Sequence, residues 1–113
     1  MNMKRMSALS LRQPNAEQVL RGKKQIEYRN MPTSKRERVY IYASNTPADQ
    51  EAWDEIKLKP PGDLPTGVLV GTVEIVGCRK TRIEYEWDLA KPQRLKRPLK
   101  PTNHPQPAWF YPF

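Results

Sequence analysis

The placement of proline constrains this chain more than any other feature: there are twelve among 113 residues, and six of them follow Asp88. Proline fixes its own φ and has no N–H to donate, so the last quarter is predicted to be extended, loop-rich chain laid over the domain instead of helix. Earlier prolines mark helix ends. Pro14 suits a first helical position, Ala16, Val19 and Leu20 supply one apolar stripe, and Gly22 suits the left-handed residue after the end, giving a helix of about two turns. Thr46-Pro47-Ala48-Asp49 combines a capping hydroxyl, a first-position proline and a first-turn acid, and opens a second helix with Ala52, Trp53 and Ile56 on its apolar face. Lys59-Pro60-Pro61-Gly62-Asp63 ends it.

Between these breaks the pattern is that of strands. Ala8 to Leu11 alternates, as do Lys24 to Asn30 and Arg38 to Ser44. Gly67 to Arg79 is the longest strand signal, with Gly71 expected at a bulge or barrel corner. Glu84 to Leu89 surrounds Trp87, and Trp109-Phe110 adds a last short strand. Five or six short strands with two helices between them predict a small curled α+β sheet or barrel. A chain of this length makes one domain, residues 1–113, burying roughly 65% of its unfolded surface.

Composition removes most familiar chemistry. One Cys leaves no internal disulfide and no thiolate zinc site, and the sole imidazole, His104, lies in the proline-rich tail where a triad base is not expected, so no metal or other cofactor is expected. Catalysis, if present, runs on lysine, carboxylates, tyrosine or hydroxyls. No apolar run approaches the roughly 20 residues that span a bilayer. Met1 to Arg5 is basic but lacks the apolar stretch of about 7–15 residues found in secretory signals, so a soluble, cytoplasmic protein with a reduced Cys78 is expected. A monomer is the default.

The net charge of +8 makes a polyanion the first partner to consider, with a solvated basic surface as the plainer alternative. The excess is uneven, with segment nets of +7, −4 and +5 over residues 1–44, 45–77 and 78–113. A folded domain with one basic and one acidic face has this pattern, whereas a disordered polycation is basic throughout.

Gly22 to Arg29 is the most informative stretch. Strand geometry sets Glu27 and Arg29 on one face, about 7 Å apart, with Gln25 beside them and Ile26 and Tyr28 opposite; the turn brings Lys24 to the start of that face. By spacing alone, an acid between two bases reads as a surface ion-pair ladder worth about 0–1 kcal/mol.

The residues also match a known pattern. Leu9-Ser10-Leu11-Arg12-Gln13-Pro14, then G-x-K-x-x-E-x-R formed by Gly22, Lys24, Glu27 and Arg29, resembles the ASCH domain family of the PUA-like superfamily. Leu64-Pro65-Thr66-Gly67 leading into Val70 to Val76 is similar to its central strand, and Glu86-Trp87-Asp88-Leu89 with Pro92 to Leu95 to its tryptophan strand and exit turn. The resemblance covers most of the chain, in order. It implies a PUA-like small β-barrel of five or six strands with flanking helices, and a cleft lined by the G-x-K-x-x-E-x-R segment that binds single-stranded or modified RNA or a nucleoside. It also implies an alternative, since some related members are amidohydrolases acting on N4-acetylcytidine through a lysine matching Lys24, and others are ribonucleases. Glu27 stands where the amidohydrolases carry a hydroxyl. Whether the chain is an enzyme stays open at this point. If it is, Lys24 and Glu27 are the catalytic candidates, Glu27 as general base and Lys24 stabilising an oxyanion; if it only binds, Lys24 and Arg29 hold an anion or base edge while Glu27 orients them or accepts an exocyclic amine.

Further candidates surround this segment. Arg12, Gln13 and Lys23 flank the first helix; Arg12 and Gln13 could reach a base or phosphate or simply pack on the helix end. Tyr28, Tyr40 and Tyr42 could stack on an unpaired base, although Tyr40 and Tyr42 share a face and at least one is expected in the core. Ser44 sits where its strand meets the next helix. Glu74 is expected to face outward, Trp87 to be core, Cys78 to be a plain thiol and His104 to have no general-base role. Arg79, Lys80, Arg82, Lys91, Arg94, Lys96, Arg97 and Lys100 form a candidate phosphate-tracking rim, or merely solvated charge. Residues 98–113 end in Trp109-Phe110-Tyr111-Pro112-Phe113, too apolar to be left in water, and are expected to pack on the barrel. A regulatory protein meeting an acidic partner is the third reading.

Overall fold

Alternation around Leu9 and Leu11 produces the first strand. In the computed structural model, which describes residues 5–56 and 64–113, β1 spans Ala8–Arg12 and leads into the helix α1, Asn15–Leu20. Pro14 stands one position before the helix, not inside it, and the side chain of Gln13 accepts the free N–H of Glu17 at 3.0 Å. At the other end Gly22 takes φ +74°, so that Lys23 N–H reaches the Gln18 carbonyl and Gly22 N–H that of Val19, both at 3.0 Å. That pairing stops the helix where the sequence placed its glycine.

The strand β2 covers Ile26–Arg29, and β3 covers Arg38–Ser44 with the predicted bounds. Helix α2, Gln50–Ile56, begins later than Thr46-Pro47 suggested: Asp49 Oδ1, not the Thr46 hydroxyl, accepts a first-turn N–H, from Ala52 at 3.2 Å. Thr46 and Ala48 are engaged elsewhere, by Ser44 Oγ and by the Gln13 carbonyl. The expected stop at Lys59 to Asp63 lies outside the described residues. Strand β4 runs Val68–Lys80, β5 runs Tyr85–Leu99, well past the predicted Leu89, and β6 is Trp109–Phe110.

The six strands form one sheet in the order β2-β5-β4-β3-β1-β6, with β1 and β3 parallel and the other pairs antiparallel. Register shifts interrupt β4 against β5 at three points and β3 against β4 at one, and shifts of this kind bend and twist a ribbon. Gly71 lies at two of them. A Cβ there would strike the Leu20 side chain and sit 2.5 Å from the Gln93 carbonyl, so only glycine lets α1 and β5 close over β4. The result is a half-barrel with two short helices: it curls, but among the described residues its edge strands β2 and β6 do not pair, so the expected barrel is left open along one seam.

Residues on the concave face, including Leu9, Leu11, Val39, Ile41, Val73, Ile75 and Trp87, form the main core with Ala16 and Val19 of α1. Each large aliphatic side chain buried there contributes about 1.5–3 kcal/mol. A second, smaller cluster on the other face joins Ala8, Tyr42, Leu69 and Phe110. Through it the C-terminal segment is held: Phe110 meets Tyr42 edge-on at 5.3 Å, while Trp109, pointing the other way, stacks on Trp87 at 5.7 Å.

Candidate functional site

The register of β2 inverts the usual polarity of a strand. Glu27 lies directly opposite Trp87, a core residue, so its carboxylate points inward and is 7% exposed, whereas Tyr28 on the other face is 47% exposed. The surface ladder suggested by spacing is therefore wrong about position, because the charged face of β2 is the one turned into the fold. Arg29 Nε donates to Glu27 Oε2 at 2.7 Å, and Nη2 donates to the Ser10 carbonyl at 2.8 Å. The guanidinium also lies 5.6 Å from the Trp87 ring. One side chain thus neutralises a buried acid and supplies β1 with the donor that a paired strand would have provided.

The other wall comes from β1 and β3. Because they are parallel, with Ser10 beside Tyr42 and Arg12 beside Ser44, their carboxyl ends lie together and bring in the loop residues Asn45 and Thr46. Pro105, Gln106 and Pro107 form a third wall, fixed where Ser10 Oγ donates to the Gln106 carbonyl at 2.9 Å and Ser10 N–H to that of Ala108 at 2.9 Å. Together these walls enclose a cleft of about 460 Å³ at the open seam. Tyr42 borders the cleft, and burial pushes its phenol above the ordinary value of 10.0. Arg12 is exposed at the rim, and no ion pair or hydrogen bond engages its side chain among the described residues.

Of the residues singled out in the sequence, Arg12, Glu27, Arg29, Tyr42 and Ser44 meet in this cleft. Three do not. Gln13 is buried and does not border the cleft, its Oε1 accepting from Glu17 N–H and its Nε2 donating to the Pro65 carbonyl at 3.0 Å. Lys23 and Lys24 lie across β2, in a separate groove with Tyr28. Lys24 still touches the acid from behind, its Nζ 3.4 Å from Glu27 Oε1.

Part of the expected basic rim is committed elsewhere. Arg79 pairs with Asp88 at 2.7 Å and Glu86 at 2.8 Å, and Arg94 holds Glu17 with 2.8 and 2.9 Å contacts, while none of the eight rim residues borders the cleft. Glu17, passed over in the sequence, is buried and also bound by Arg21 at 2.7 Å; the Arg94 hydrogen bonds hold its carboxyl below the usual 4.5. Glu74 faces outward between Arg38 at 3.7 Å and Lys91 at 4.0 Å. Ser10, Asn15, Asn45 and the Pro105 to Pro107 wall were missed. The usable signal was the polar run Ser44-Asn45-Thr46 at a strand's carboxyl end, since ligands in α/β sheets gather where parallel strands finish.

A curled, open sheet with a polar cleft at its seam defines a small α+β half-barrel domain. Residues 9–107 match the ASCH domain, so the chain belongs to that family. Membership supports an RNA-binding or hydrolase-like role in general terms. No curated protein sequence matches the chain significantly.

Proposed function

We propose that the protein binds single-stranded or modified RNA by taking one nucleotide into the seam cleft. The observation that carries this reading is the buried Glu27–Arg29 pair at 2.7 Å facing a cleft of about 460 Å³. Such a cleft falls in the range of small-ligand sites, roughly 300–1,000 Å³. Glu27 keeps lone pairs beyond those used by Arg29 and can accept an exocyclic amine such as cytosine N4, as acidic side chains do in base readout. The Tyr42 and Ser44 hydroxyls supply further hydrogen bonds, and exposed Arg12 is placed to meet a phosphate.

Calorimetry with cytidine and uridine monophosphates tests this. One carboxylate contact to the amine gives about 1–3 kcal/mol, or roughly 5- to 150-fold preference for cytidine. Glu27→Gln should abolish that preference; equal binding of the two nucleotides by the native protein would remove Glu27 as the reader.

A hydrolase reading draws on the 3.4 Å approach of Lys24 to Glu27. Against it, Lys24 is not part of the cleft wall, so substrate in the cleft meets the carboxylate but not the amine. Incubating N4-acetylcytidine with the native protein and Lys24→Ala decides the matter: turnover that depends on Lys24 favours the enzyme, and no turnover favours binding alone.

A further inference from the structure

The cleft has a neighbour on each side. Beyond Asn15, which borders both, lies the groove of about 390 Å³ on the far face of β2, containing Lys23, Lys24 and Tyr28. Beyond Gln106, which again borders both, lies a hollow of about 420 Å³ formed by Lys35, His104, Trp109 and Tyr111. Three depressions thus follow one another around the open seam, each joined to the next by an amide side chain.

The two outer depressions share one chemistry and the central cleft complements it. The first has Tyr28, 47% exposed, with Lys24 Nζ 5.4 Å from its ring and Lys23 exposed beside it. The central cleft has exposed Arg12 and the Glu27–Arg29 pair, while Tyr42, 5% exposed and packed edge-on against Phe110, only borders it. In the third, Lys35 Nζ lies 5.0 Å from the Trp109 ring, and Tyr111 is 44% exposed. Ser7 lines this hollow too, and its hydroxyl is buried with no partner among the described residues. A ring with a cation on either side of a polar cleft that has its own exposed arginine suits a nucleic-acid strand, since the outer bases stack on rings while phosphates are tracked by positive charge. A free nucleoside would use only the cleft.

We infer that the natural ligand is a single strand of at least three nucleotides, the central one in the cleft and its neighbours in the Tyr28–Lys24 groove and the Trp109–Lys35 hollow. This rests on the reading of the central cleft and extends it, and it gives the G-x-K-x-x-E-x-R segment two faces with separate duties. Glu27 and Arg29 read the central base from one side of β2 and Tyr28 holds the adjoining nucleotide from the other, with Lys24 between them, 3.4 Å from Glu27 and 5.4 Å from the Tyr28 ring.

The test compares cytidine monophosphate with the trinucleotide CpCpC by calorimetry at two salt concentrations. The trinucleotide should bind at least about tenfold more tightly, with a log–log salt slope steeper by about 0.7 for each added phosphate contact. Tyr28→Ala and Lys35→Ala alter side chains outside the core clusters; each should weaken CpCpC at least about fivefold and leave cytidine monophosphate unchanged, with circular dichroism confirming the fold. If the mononucleotide binds and CpCpC binds no better, the path is refuted and the cleft reading survives. If neither binds, the cleft reading falls and takes the path with it. Loss of CpCpC binding in Tyr28→Ala together with equal loss for the mononucleotide would also overturn the division between the faces.

Discussion

Arg29→Ala should destabilise the fold far more than a surface ion pair would. Removal deletes a charged hydrogen bond to Glu27 and another to the Ser10 carbonyl, at 2.7 and 2.8 Å, and bonds of this type contribute about 1.5–3 kcal/mol each. It also leaves a carboxylate that is 7% exposed with only the looser Lys24 contact at 3.4 Å. Breaking a buried pair on one side costs about 3–5 kcal/mol, because the abandoned charge is poorly solvated. Arg29 is itself partly exposed, with 21% of its side chain accessible, so the lower half of that range, about 3 kcal/mol, is the expectation. At roughly 4 °C per kcal/mol for a domain of this size, the melting temperature should fall by about 12 °C. Urea denaturation of Arg29→Ala, Glu27→Leu and the double variant completes the cycle, and the double variant should recover stability relative to Arg29→Ala because the stranded acid is gone. A loss below about 1 kcal/mol for Arg29→Ala, with no coupling in the cycle, would place the pair among surface ladders and remove the seam argument.

Three further outcomes follow from other parts of the structure. Glu17 is held below 4.5 chiefly by Arg94, so its contribution is complete above that value and is lost as pH falls through the lower folded-state value; Glu17→Gln should flatten the acid limb of a stability-against-pH curve, and identical limbs would count against the pairing. Tyr42 titrates above 10.0 because it is buried, so one phenolate should appear late in an alkaline absorbance titration and be absent in Tyr42→Phe; its contribution to stability is present below 10.0 and fades as pH rises through the folded-state value. Gly71→Ala forces a methyl group against Leu20 and the Gln93 carbonyl, for about 1–3 kcal/mol of destabilisation measured by denaturant midpoint, and an unchanged midpoint would show that β5 can move aside.

The sequence was legible wherever a local signal had a local cause. The alternation of Arg38 to Ser44, the left-handed Gly22 and the bend at Gly71 each depend on a few adjacent residues, and each appears where expected. The errors came from distant partners. Strand β5 passes through Pro92 and Pro98 because β2 pairs only with its Tyr85 to Asp88 portion, and beyond that the outer edge needs no N–H from β5. Lys91, at φ +52°, absorbs the register shift there. Gln13 resembled a ligand contact but is consumed by Glu17 and Pro65, far apart in sequence and unreadable from spacing. The inward turn of Glu27 depended on which face of β2 met Trp87, and a two-residue period cannot distinguish the faces until the pairing is known.

On the proposed reading, the open seam makes stability and recognition depend on the same side chains. The edge strands of the sheet are β2 and β6, and β6 pairs with β1 only at Ala8 and Leu9, so the Ser10 carbonyl lies beyond that short ladder. Here the strands part, and Arg29 meets that carbonyl with a guanidinium while holding Glu27 in place. The space left by the missing ladder is the cleft itself, walled on its third side by the chain around Gln106. That wall is anchored through Ser10, so β1 contributes both to the sheet and to the site. Substitutions that close the gap with larger apolar residues would strengthen the core and erase the polar pocket together, whereas those that open it would strand the buried acid. The charged segment is confined between these two costs: the acid is tolerable inside the fold only because Arg29 reaches across the seam, and the seam is useful only because the acid remains there.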